Sequence, residues 1–328
     1  MNAPVGFALG SGTPPALLAP MAALGERLGF SELWISEDCF FTGAISGAAV
    51  ALGATGRIPV GLSLTSAVVR HPAVLAMECA TLAGAYPGRF WPGIGLGLSH
   101  GLHQMNLYPR SQLAAVRECI TSVRALLEGE TLDHEGALAD FHGVSLSFPP
   151  PSPPPLFMGG HGPRMIELSG EVADGTLISI FAGTDYIRWA RDRVAAGRAT
   201  AGRSAGRSTM PVLALFCVDE DSARAKRELA PVMASFLTFM PRTSLGDVYG
   251  ITDQVVALAD GGPEAMLEGM PEQWLVDLCV VGDPVECADQ IRRLLDAGGD
   301  SVVLFPAPME RSEEMLELAA REILPRLA

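Results

Sequence analysis

Closely spaced glycines followed by an arginine form the segment of this chain best suited to hold a charged ligand. The segment is Gly159-Gly160-His161-Gly162-Pro163-Arg164, and it follows a short apolar run typical of a buried strand. Glycines let the backbone turn sharply and approach a ligand, and proline suits the first turn of a helix. Free N–H groups at that helix N-terminus attract anions, so the segment predicts a phosphate site. A tight connection without a ligand is the alternative that this motif alone leaves open.

Acids, histidines and further glycines follow other short apolar runs. If these runs are parallel strands of a barrel, the residues just after each run face one common site. They are Ser36, Glu37, Asp38 and Cys39, then Thr65, Ser66, Arg70 and His71, then Gly95, Gly97, His100 and His103. A histidine taken singly is more often a capping or surface residue than a catalytic one. No H-E-x-x-H, H-x-x-E-H or cysteine cluster in the sequence favours a metal.

The elements that must position these residues alternate along the chain. Short apolar runs followed by helical patterns predict strands at residues 5–9, 33–36, 58–64, 90–94, 156–158, 176–180, 211–218 and 301–305. This alternation predicts a (β/α)8 barrel, which we favour over a doubly wound sheet. Residues 1–328 then form a single α/β domain, with an inserted hairpin at about 130–155 and a helical excursion at about 220–278. The helix that starts at Thr184 is predicted to end at Ala196, with Gly197 just past its end.

Composition argues against several classes of function. The 328 residues carry a net charge of −14, and Lys226 is the only lysine. An acidic chain of this kind is unsuited to nucleic acid or an anionic membrane surface. The sequence has no basic leader and no run of about 18 apolar residues that would span a membrane, so we expect a cytoplasmic protein. We expect the scattered cysteines to be small, buried apolar residues. Cys39 is the one candidate for a reactive position.

Several motifs, in order along the chain, resemble the bacterial luciferase-like superfamily of flavin and deazaflavin barrels. They are Leu33-Trp34-Ile35-Ser36-Glu37-Asp38, Arg70-His71-Pro72, Gly88-Arg89-Phe90 with Gly93-Ile94-Gly95-Leu96-Gly97, Gly159-Gly160-x-Gly162-Pro163-Arg164 with Ala173-Asp174-Gly175, and Gly282-Asp283-Pro284. The chain looks most like the methylenetetrahydromethanopterin reductase-like branch, whose members use coenzyme F420. The resemblance covers nearly the whole chain and implies a barrel with a cofactor ring over its mouth, often in a dimer.

The residues and the resemblance agree on how such a cofactor would bind. A flavin or deazaflavin carries a phosphate on its ribityl chain, which suits the N–H groups of Gly159, Gly160 and Gly162. Gly95 and Gly97 allow close approach from the neighbouring strand. In F420-dependent relatives a bulge with a non-prolyl cis peptide bond backs the ring, and the resemblance places it here at Ser63–Leu64, followed by Thr65. We therefore expect coenzyme F420, or alternatively FMN, at these residues.

Glu37 and Asp38 are the candidate catalytic residues. Because neighbouring like charges raise one pKa, one of these carboxyls could stay protonated and donate to a substrate or ring oxygen. A hydrogen-bonded structural pair is the alternative. The resemblance also implies what the substrate is not. The sugar-phosphate dehydrogenase branch has a His where this chain has Asp38 and a Glu where it has Leu98, so a sugar phosphate is not expected.

The sequence leaves three functions open. The first is an F420-dependent oxidoreductase that transfers a hydride to or from an unidentified small organic substrate. The second is a reduced-FMN-dependent monooxygenase, which requires a separate flavin reductase as partner. The third is a flavin-binding homologue without catalysis. We also expect a homodimer, because the helices predicted at about residues 43–55 and 72–86 carry almost no charge, and a lid formed by residues 240–272.

Overall fold

Parallel strands alternating with helices form the centre of the protein. The computed structural model describes residues 3–203 and 206–328. The strands, numbered along the chain, are β1 (Val5–Leu9), β2 (Leu33–Ile35), β3 (Val60–Leu62), β4 (Thr65–Ser66), β5 (Phe90–Trp91), β6 (Gly93–Gly95), β7 (Leu132–His134), β8 (Phe141–Val144), β9 (Phe157–Gly159), β10 (Gly175–Leu177), β11 (Pro211–Val218), β12 (Val280–Gly282) and β13 (Ser301–Pro306).

The helices lie between these strands. They are α1 (Pro15–Leu28), α2 (Ala44–Ala54), α3 (Pro72–Ala85), α4 (Ser99–Gln104), α5 (Gln112–Leu127), α6 (Pro163–Val172), α7 (Thr184–Thr200), α8 (Ser222–Phe239), α9 (Ser244–Tyr249), α10 (Thr252–Ala259), α11 (Gly262–Gly269), α12 (Glu272–Leu278), α13 (Pro284–Asp296) and α14 (Ser312–Leu318). The chain continues beyond α14 in short π and 3₁₀ turns, Ala319–Ile323 and Leu324–Leu327. Within the described ranges, no helix combines the length and apolar character that a membrane span needs.

The central strands pair in parallel. The larger sheet has the order β12-β11-β13-β1-β2-β3-β5, and the smaller one has the order β10-β9-β6-β4. Isolated bridges from Gly175 to Thr209 and from Ile178 to Val212 join the smaller sheet to the segment around β11. Such strands are buried on both faces, which is why they read as short apolar runs in the sequence. The α/β fold with a parallel central sheet is therefore confirmed.

Large side chains of one strand fill space that a glycine leaves on the next. A Cβ at Gly61 of β3 would lie 2.4 Å from the Trp34 ring of β2, and a Cβ at Gly175 of β10 would lie 2.3 Å from the Phe157 ring of β9. The Trp34 and Phe157 rings meet edge to face, with 5.1 Å between their centroids. Burying a side chain such as Phe157 contributes about 1.5 to 3 kcal/mol to stability. The glycines thus let the strand interior take large aromatic residues.

Two insertions depart from the regular alternation. β7 and β8 form an antiparallel pair, and Phe141 of β8 packs between the rings of His71 and His134. The segment from α8 to α12 connects β11 to β12 as a series of helices. Arg311, which follows β13, forms ion pairs with Asp219 after β11 and with Glu228 on α8. These ion pairs hold the start of the helical segment at the carboxyl ends of the parallel strands, referred to below as the carboxyl edge.

The expected end of α7 at Ala196 is wrong, because this helix continues to Thr200. A Cβ at Gly197 would lie 1.8 Å from the carbonyl oxygen of Glu167 on α6, and a Cβ at Gly170 would lie 2.2 Å from that of Val194 on α7. Both glycines therefore serve the close crossing of α6 and α7, and Gly197 does not supply a left-handed helix end. β12 was not predicted either, since a buried run this short carries little periodic signal.

Candidate functional site

The side chain of Leu64 lies where three strands end at the carboxyl edge. The Ser63–Leu64 peptide bond is cis, as the resemblance implied, and it separates β3 from β4. A Cβ at Gly95 would lie 2.4 Å from Leu64 Cδ1, and a Cβ at Gly159 would lie 2.9 Å from the same atom. Both glycines thus make room for Leu64, which remains partly exposed. Gly95 was expected to lie close to a ligand. On the side where a side chain would point, it contacts Leu64.

Glu37 is held by donors from several elements. Arg70 binds its carboxylate in a bidentate ion pair, with N–O distances of 2.9 and 3.0 Å, and Thr65 Oγ1 and the Ala44 N–H donate to the same carboxylate at 2.9 and 3.1 Å. Burial by itself would raise the pKa of Glu37, but the hydrogen bonds and charge of Arg70, with these further donors, outweigh it and lower the pKa. This geometry favours the structural interpretation of Glu37 over that of a protonated donor.

Asp38 and Cys39 follow Glu37 in the same loop. Ser11, in the loop after β1, donates from Oγ to Asp38 Oδ2 at 2.7 Å, and Asp38 is partly exposed. Of the adjacent carboxyls, Asp38 is therefore the one with fewer protein donors and some access to solvent. Burial, together with the charges of Glu37 and Asp38, raises the pKa of the Cys39 thiol. A raised pKa argues against a reactive thiolate at Cys39.

The glycine turn after β9 has the predicted form. Gly162 precedes α6 with φ −80° and ψ 156°, Pro163 occupies the first turn, no side chain caps this N-terminus, and its first turn carries no acid. A Cβ at Gly162 would meet no atom within 4 Å, whereas a Cβ at Gly160 would lie 2.3 Å from Met165 Cγ. Arg164 is exposed beside the turn. An uncapped helix N-terminus of this kind suits an anion such as a phosphate.

Gly97 and Thr65 lie beside the glycine turn, and the serines near them form contacts between strand ends. Gly97 has a φ of 88°, a left-handed conformation that favours glycine, and a Cβ there would lie 3.1 Å from Ser66 Cβ. Ser66 Oγ donates to the Leu96 carbonyl at 2.7 Å, and Ser63 Oγ lies 3.2 Å from Ser36 Oγ. These contacts fix the ends of β2, β4 and β6 relative to each other.

A tyrosine that no sequence motif indicates, Tyr186, reaches the glycine turn, and a second, Tyr249, contacts Tyr186. Tyr186 Oη donates to the His161 carbonyl at 2.8 Å, and the Tyr186 N–H donates to Tyr249 Oη at 3.2 Å. His161 as a whole residue is partly exposed, and burial of its imidazole lowers its pKa. The tyrosine contacts span 25 and 63 residues of chain, so no local pattern could have predicted them.

An apolar cavity lies between the segment after β10 and the helices α8 to α10. Its lining includes Phe181, Phe236, Leu245 and Val255, and its closed space is about 30 Å³. Phe181 has a φ of 67°, uncommon for a residue with a side chain, and its ring meets that of Phe236 at 5.8 Å, edge to face. So small a space admits little more than water, and a larger ligand would require these helices to move.

The remaining candidate side chains do not form a metal site. His103 stacks on Tyr108 with 4.3 Å between ring centroids, His100 is exposed, and His71 caps α3 by accepting from the Ala73 N–H. In the part of the chain that the structure describes, no group of histidine, cysteine or acidic side chains is arranged to hold a metal ion.

Comparison with known proteins gives the same family as the motifs. The model of the luciferase-like monooxygenase family matches residues 3–301. The chain belongs to this family. Among curated proteins, this luciferase-like protein is 29% identical to 5,10-methylenetetrahydromethanopterin reductase from Methanolobus tindarius, over 95% of this chain and 96% of the relative. It is 30% identical to an F420-dependent glucose-6-phosphate dehydrogenase from Nocardia farcinica, over 84% of this chain and 81% of the relative.

A solved structure extends the likeness to the fold. The coenzyme F420-dependent tetrahydromethanopterin reductase from Methanopyrus kandleri superposes on this luciferase-like protein with a TM-score of 0.87 and 23% identity, and the match covers 100% of both chains. At this identity the likeness concerns the fold alone. The α/β fold with its parallel central sheet therefore matches that of a luciferase-like F420 reductase.

Proposed function

We propose that this protein is an F420-dependent oxidoreductase that transfers a hydride between coenzyme F420 and a small organic substrate. The observation that carries the proposal is the uncapped N-terminus of α6, which follows the glycine turn and lacks a first-turn acid. Curated relatives that match along nearly their whole length are named for F420-dependent dehydrogenases and for methylenetetrahydromethanopterin reductases. A bound deazaflavin supplies the hydride chemistry, while the protein supplies position and electrostatics.

The residues of the turn fit the phosphate of this cofactor. Backbone N–H groups of Gly160, His161 and Gly162 are the donors, and Arg164 adds a positive charge beside them. The partly exposed side chain of Leu64, seated against Gly95 and Gly159, is the surface that would back the ring. Ser63 and Thr65 flank it, and Gly97 completes this edge of the site.

The carboxyls have separate roles in this proposal. Glu37, ionised and held by Arg70, fixes the loop after β2 relative to Thr65. Asp38, which accepts from Ser11, is the carboxyl left to face a substrate or the ring and to exchange a proton there. The pair first considered as catalytic thus divides into a positioning residue, Glu37, and a candidate catalytic residue, Asp38.

Closure of the two parallel sheets into one barrel is part of the same proposal. We propose that the two parallel sheets close into one (β/α)8 barrel made of β1, β2, β3 with β4, β5 with β6, β9, β10, β11 and β13, and that residues 1–328 form a single domain. The pairing of β13 with β1 and the hydrogen bond from the Leu213 N–H to the Ile178 carbonyl, 2.9 Å, support this closure. The carboxyl edge would then be the barrel mouth, where such enzymes carry their active sites.

The substrate in this proposal is not a sugar phosphate. By the resemblance, this chain has Asp38 and Leu98 where the sugar-phosphate dehydrogenase branch has a His and a Glu. In addition, Arg70 and Arg311 are already engaged by carboxylates. The cavity beside Phe181 is lined mainly by apolar side chains. A small, largely apolar organic molecule fits these surroundings better than a phosphorylated one.

A reduced-FMN-dependent monooxygenase is the second candidate function. The family whose model matches the chain is described as luciferase-like monooxygenase, and FMN also carries a ribityl phosphate that would suit the turn. This alternative adds a partner, a separate flavin reductase that supplies reduced FMN. A flavin-binding homologue without catalysis is the third.

Titration with both cofactors separates these candidates. Purified protein is titrated with F420, followed by quenching of the deazaflavin fluorescence, and with FMN by calorimetry at the same salt concentration. Tight binding of F420, weaker binding of FMN and no oxygen uptake with reduced FMN are expected. Preferential FMN binding with oxygen uptake would favour the monooxygenase, and binding of neither cofactor would contradict the proposed function.

A further inference from the structure

The hydroxyl of Tyr186, on the neighbouring helix α7, holds the glycine turn through a hydrogen bond. Tyr186 lies on the first turn of α7, is 1% exposed, and donates from Oη to the His161 carbonyl at 2.8 Å. His161 stands between Gly160 and Gly162, where peptide planes rotate easily because neither glycine has a Cβ. The hydrogen bond from Tyr186 therefore fixes the direction of the His161 carbonyl, while the Gly162 carbonyl is held by the Met165 and Ile166 N–H groups of α6.

That orientation also sets the direction of an amide donor. The peptide unit joining His161 to Gly162 is planar and trans, so its C=O and N–H point in opposite directions. With the His161 carbonyl directed at Tyr186, the Gly162 N–H is directed away from α7. A Cβ at Gly162 would meet no atom within 4 Å, so the space around this residue is open to a ligand.

The helical segment between β11 and β12 holds Tyr186 in turn. Gly183 precedes α7 and provides no side-chain cap, and Tyr249 Oη of α9 takes that place by accepting from the Tyr186 N–H at 3.2 Å. A Cβ at Gly183 would lie 2.6 Å from Tyr249 Oη, so the glycine leaves room for this hydroxyl. Burial raises the pKa of Tyr249 to about 12, so the hydroxyl remains neutral at physiological pH.

We propose that Tyr186 is a positioning residue that directs the Gly162 N–H at the cofactor phosphate, and that Tyr249 positions Tyr186 from the helical segment. The inference rests on the proposed function, since it concerns the same turn. It adds a route by which the segment at α9 acts on cofactor affinity without touching the cofactor. The specific consequence is that the two tyrosine hydroxyls affect recognition of the phosphate and leave recognition of the ring unchanged.

Paired ligands that differ only in the phosphate test this consequence. Wild type, Tyr186→Phe and Tyr249→Phe are titrated with F420 and with the same deazaflavin bearing its ribityl chain but no phosphate, and in parallel with FMN and riboflavin. Tyr186→Phe should weaken binding of the phosphorylated ligands about three- to tenfold, as expected for the loss of one hydrogen bond. Tyr249→Phe should weaken it about two- to fivefold, and the phosphate-free ligands should change less than twofold.

Tyr86→Phe is the matched control. Tyr86 ends α3 at the opposite, amino-terminal side of the strands, where its ring lies beside Arg89, so removing its hydroxyl should change no affinity. Equal losses with and without the phosphate, or unchanged affinity in both site variants, would overturn the inference while leaving cofactor binding by the wild type intact. If Tyr186→Phe fails to fold, Tyr249→Phe, on a partly exposed residue, decides the question alone. Failure of the wild type to bind any of the four ligands would instead reject the proposed function, and the inference with it.

Discussion

The side chain of Leu64 occupies the space in which a side chain at position 95 would lie, since a Cβ on Gly95 would sit 2.4 Å from Leu64 Cδ1. Gly159, on the neighbouring strand, faces the same leucine at 2.9 Å. Leu64, which follows the cis bond at Ser63–Leu64, thus lies against both β6 and β9 at the carboxyl edge. The position of Leu64, and with it the apolar surface proposed to back the ring, depends on the absence of side chains at both glycines.

Gly95→Ala should therefore displace Leu64 and weaken cofactor binding. The added methyl group overfills a packed position, which costs about 1 to 3 kcal/mol of stability, and we expect a loss of affinity for both phosphorylated and phosphate-free ligands, because the ring is affected. Calorimetric titration and a melting curve measure the two effects. Gly84→Ala on α3, where a Cβ would meet no atom within 4 Å, serves as control. Unchanged affinity in Gly95→Ala would mean that the ring does not lie against Leu64.

Glu37 should make stability depend on acidic pH. Its folded-state pKa lies below the ordinary value of 4.5 because Arg70, Thr65 and Ala44 stabilise the charge more than burial opposes it. A depressed pKa contributes stability that is present above the unfolded-state pKa and is lost as pH falls through the folded-state value. The stability contributed by Glu37 should thus be lost below about pH 4.5, on the acidic side of a plot of stability against pH.

Glu37→Gln tests this dependence. At pH 7 the variant should lose about 1.5 to 3 kcal/mol, the range for hydrogen bonds to a charged group, and the difference from wild type should shrink as pH is lowered from 5 to 3. Urea unfolding at a series of pH values measures it. Glu313→Gln, at an exposed acid of α14, should leave the curve unchanged. A Glu37→Gln difference that is the same at pH 3 and pH 7 would show that the charge of Glu37 contributes nothing.

Movement of the helical segment should accompany substrate binding. The cavity beside Phe181 and Phe236 has a volume of about 30 Å³, which is small for an organic substrate, so we expect α9 and α10 to move when a ligand enters. Hydrogen exchange of residues 240–272 should slow when cofactor and a substrate analogue are added together, and limited proteolysis there should reduce ligand binding. Free cutting of this segment with full retention of binding would contradict the role of a lid.

The sequence predicted the strand pattern well because buried parallel strands are short apolar runs with a helix after each. It also predicted the glycine turn and the start of α6, because Gly162 and Pro163 act through local backbone preferences. The cis bond at Ser63–Leu64 came from the family resemblance, since nothing in the local residue types indicates it. Gly197 was misinterpreted because the residue type alone does not distinguish a glycine needed for a close helix crossing from one that ends a helix.

The contacts that decide the roles in the site could not be predicted. Arg70 reaches Glu37 across 33 residues and Tyr186 reaches His161 across 25. Such partners are chosen by tertiary packing, and their spacing carries no periodic signal. The sequence left Glu37 open between a proton donor and a structural carboxylate, and only its donors distinguish the two interpretations.

Introducing a negative charge on α3 should disrupt a homodimer. Val50 of α2 and Val74 and Met77 of α3 are 43%, 44% and 53% exposed, which leaves an apolar surface suited to burial against a second copy. Sedimentation of the wild type should give about twice the 34.5 kDa of one chain, and Met77→Glu should shift it toward the monomer. A wild-type monomer at micromolar concentration would remove this expectation, and Leu267→Glu on α11 controls for added charge alone.

Substitutions in the glycine turn test the phosphate site directly, and Gly162 is a cleaner position than Gly160. A Cβ at Gly160 would lie 2.3 Å from Met165 Cγ, so Gly160→Val also disturbs the packing of α6, whereas a Cβ at Gly162 meets open space. Gly162→Val should keep the wild-type melting temperature, because its φ of −80° is accessible to any residue, while blocking the approach of the phosphate to the N–H groups.

Arg164→Ala should have a smaller effect than Gly162→Val, about 1 to 2 kcal/mol of binding free energy, because the exposed guanidinium only supplements the backbone donors. Calorimetry with F420 and FMN at fixed salt compares both variants with Arg27→Ala, an exposed arginine near the end of α1. The loss in Arg164→Ala should diminish at high salt, since a solvent-exposed charge is screened. Wild-type affinity in Gly162→Val, with an unchanged melting temperature, would place the phosphate elsewhere and leave this turn as a connection between β9 and α6.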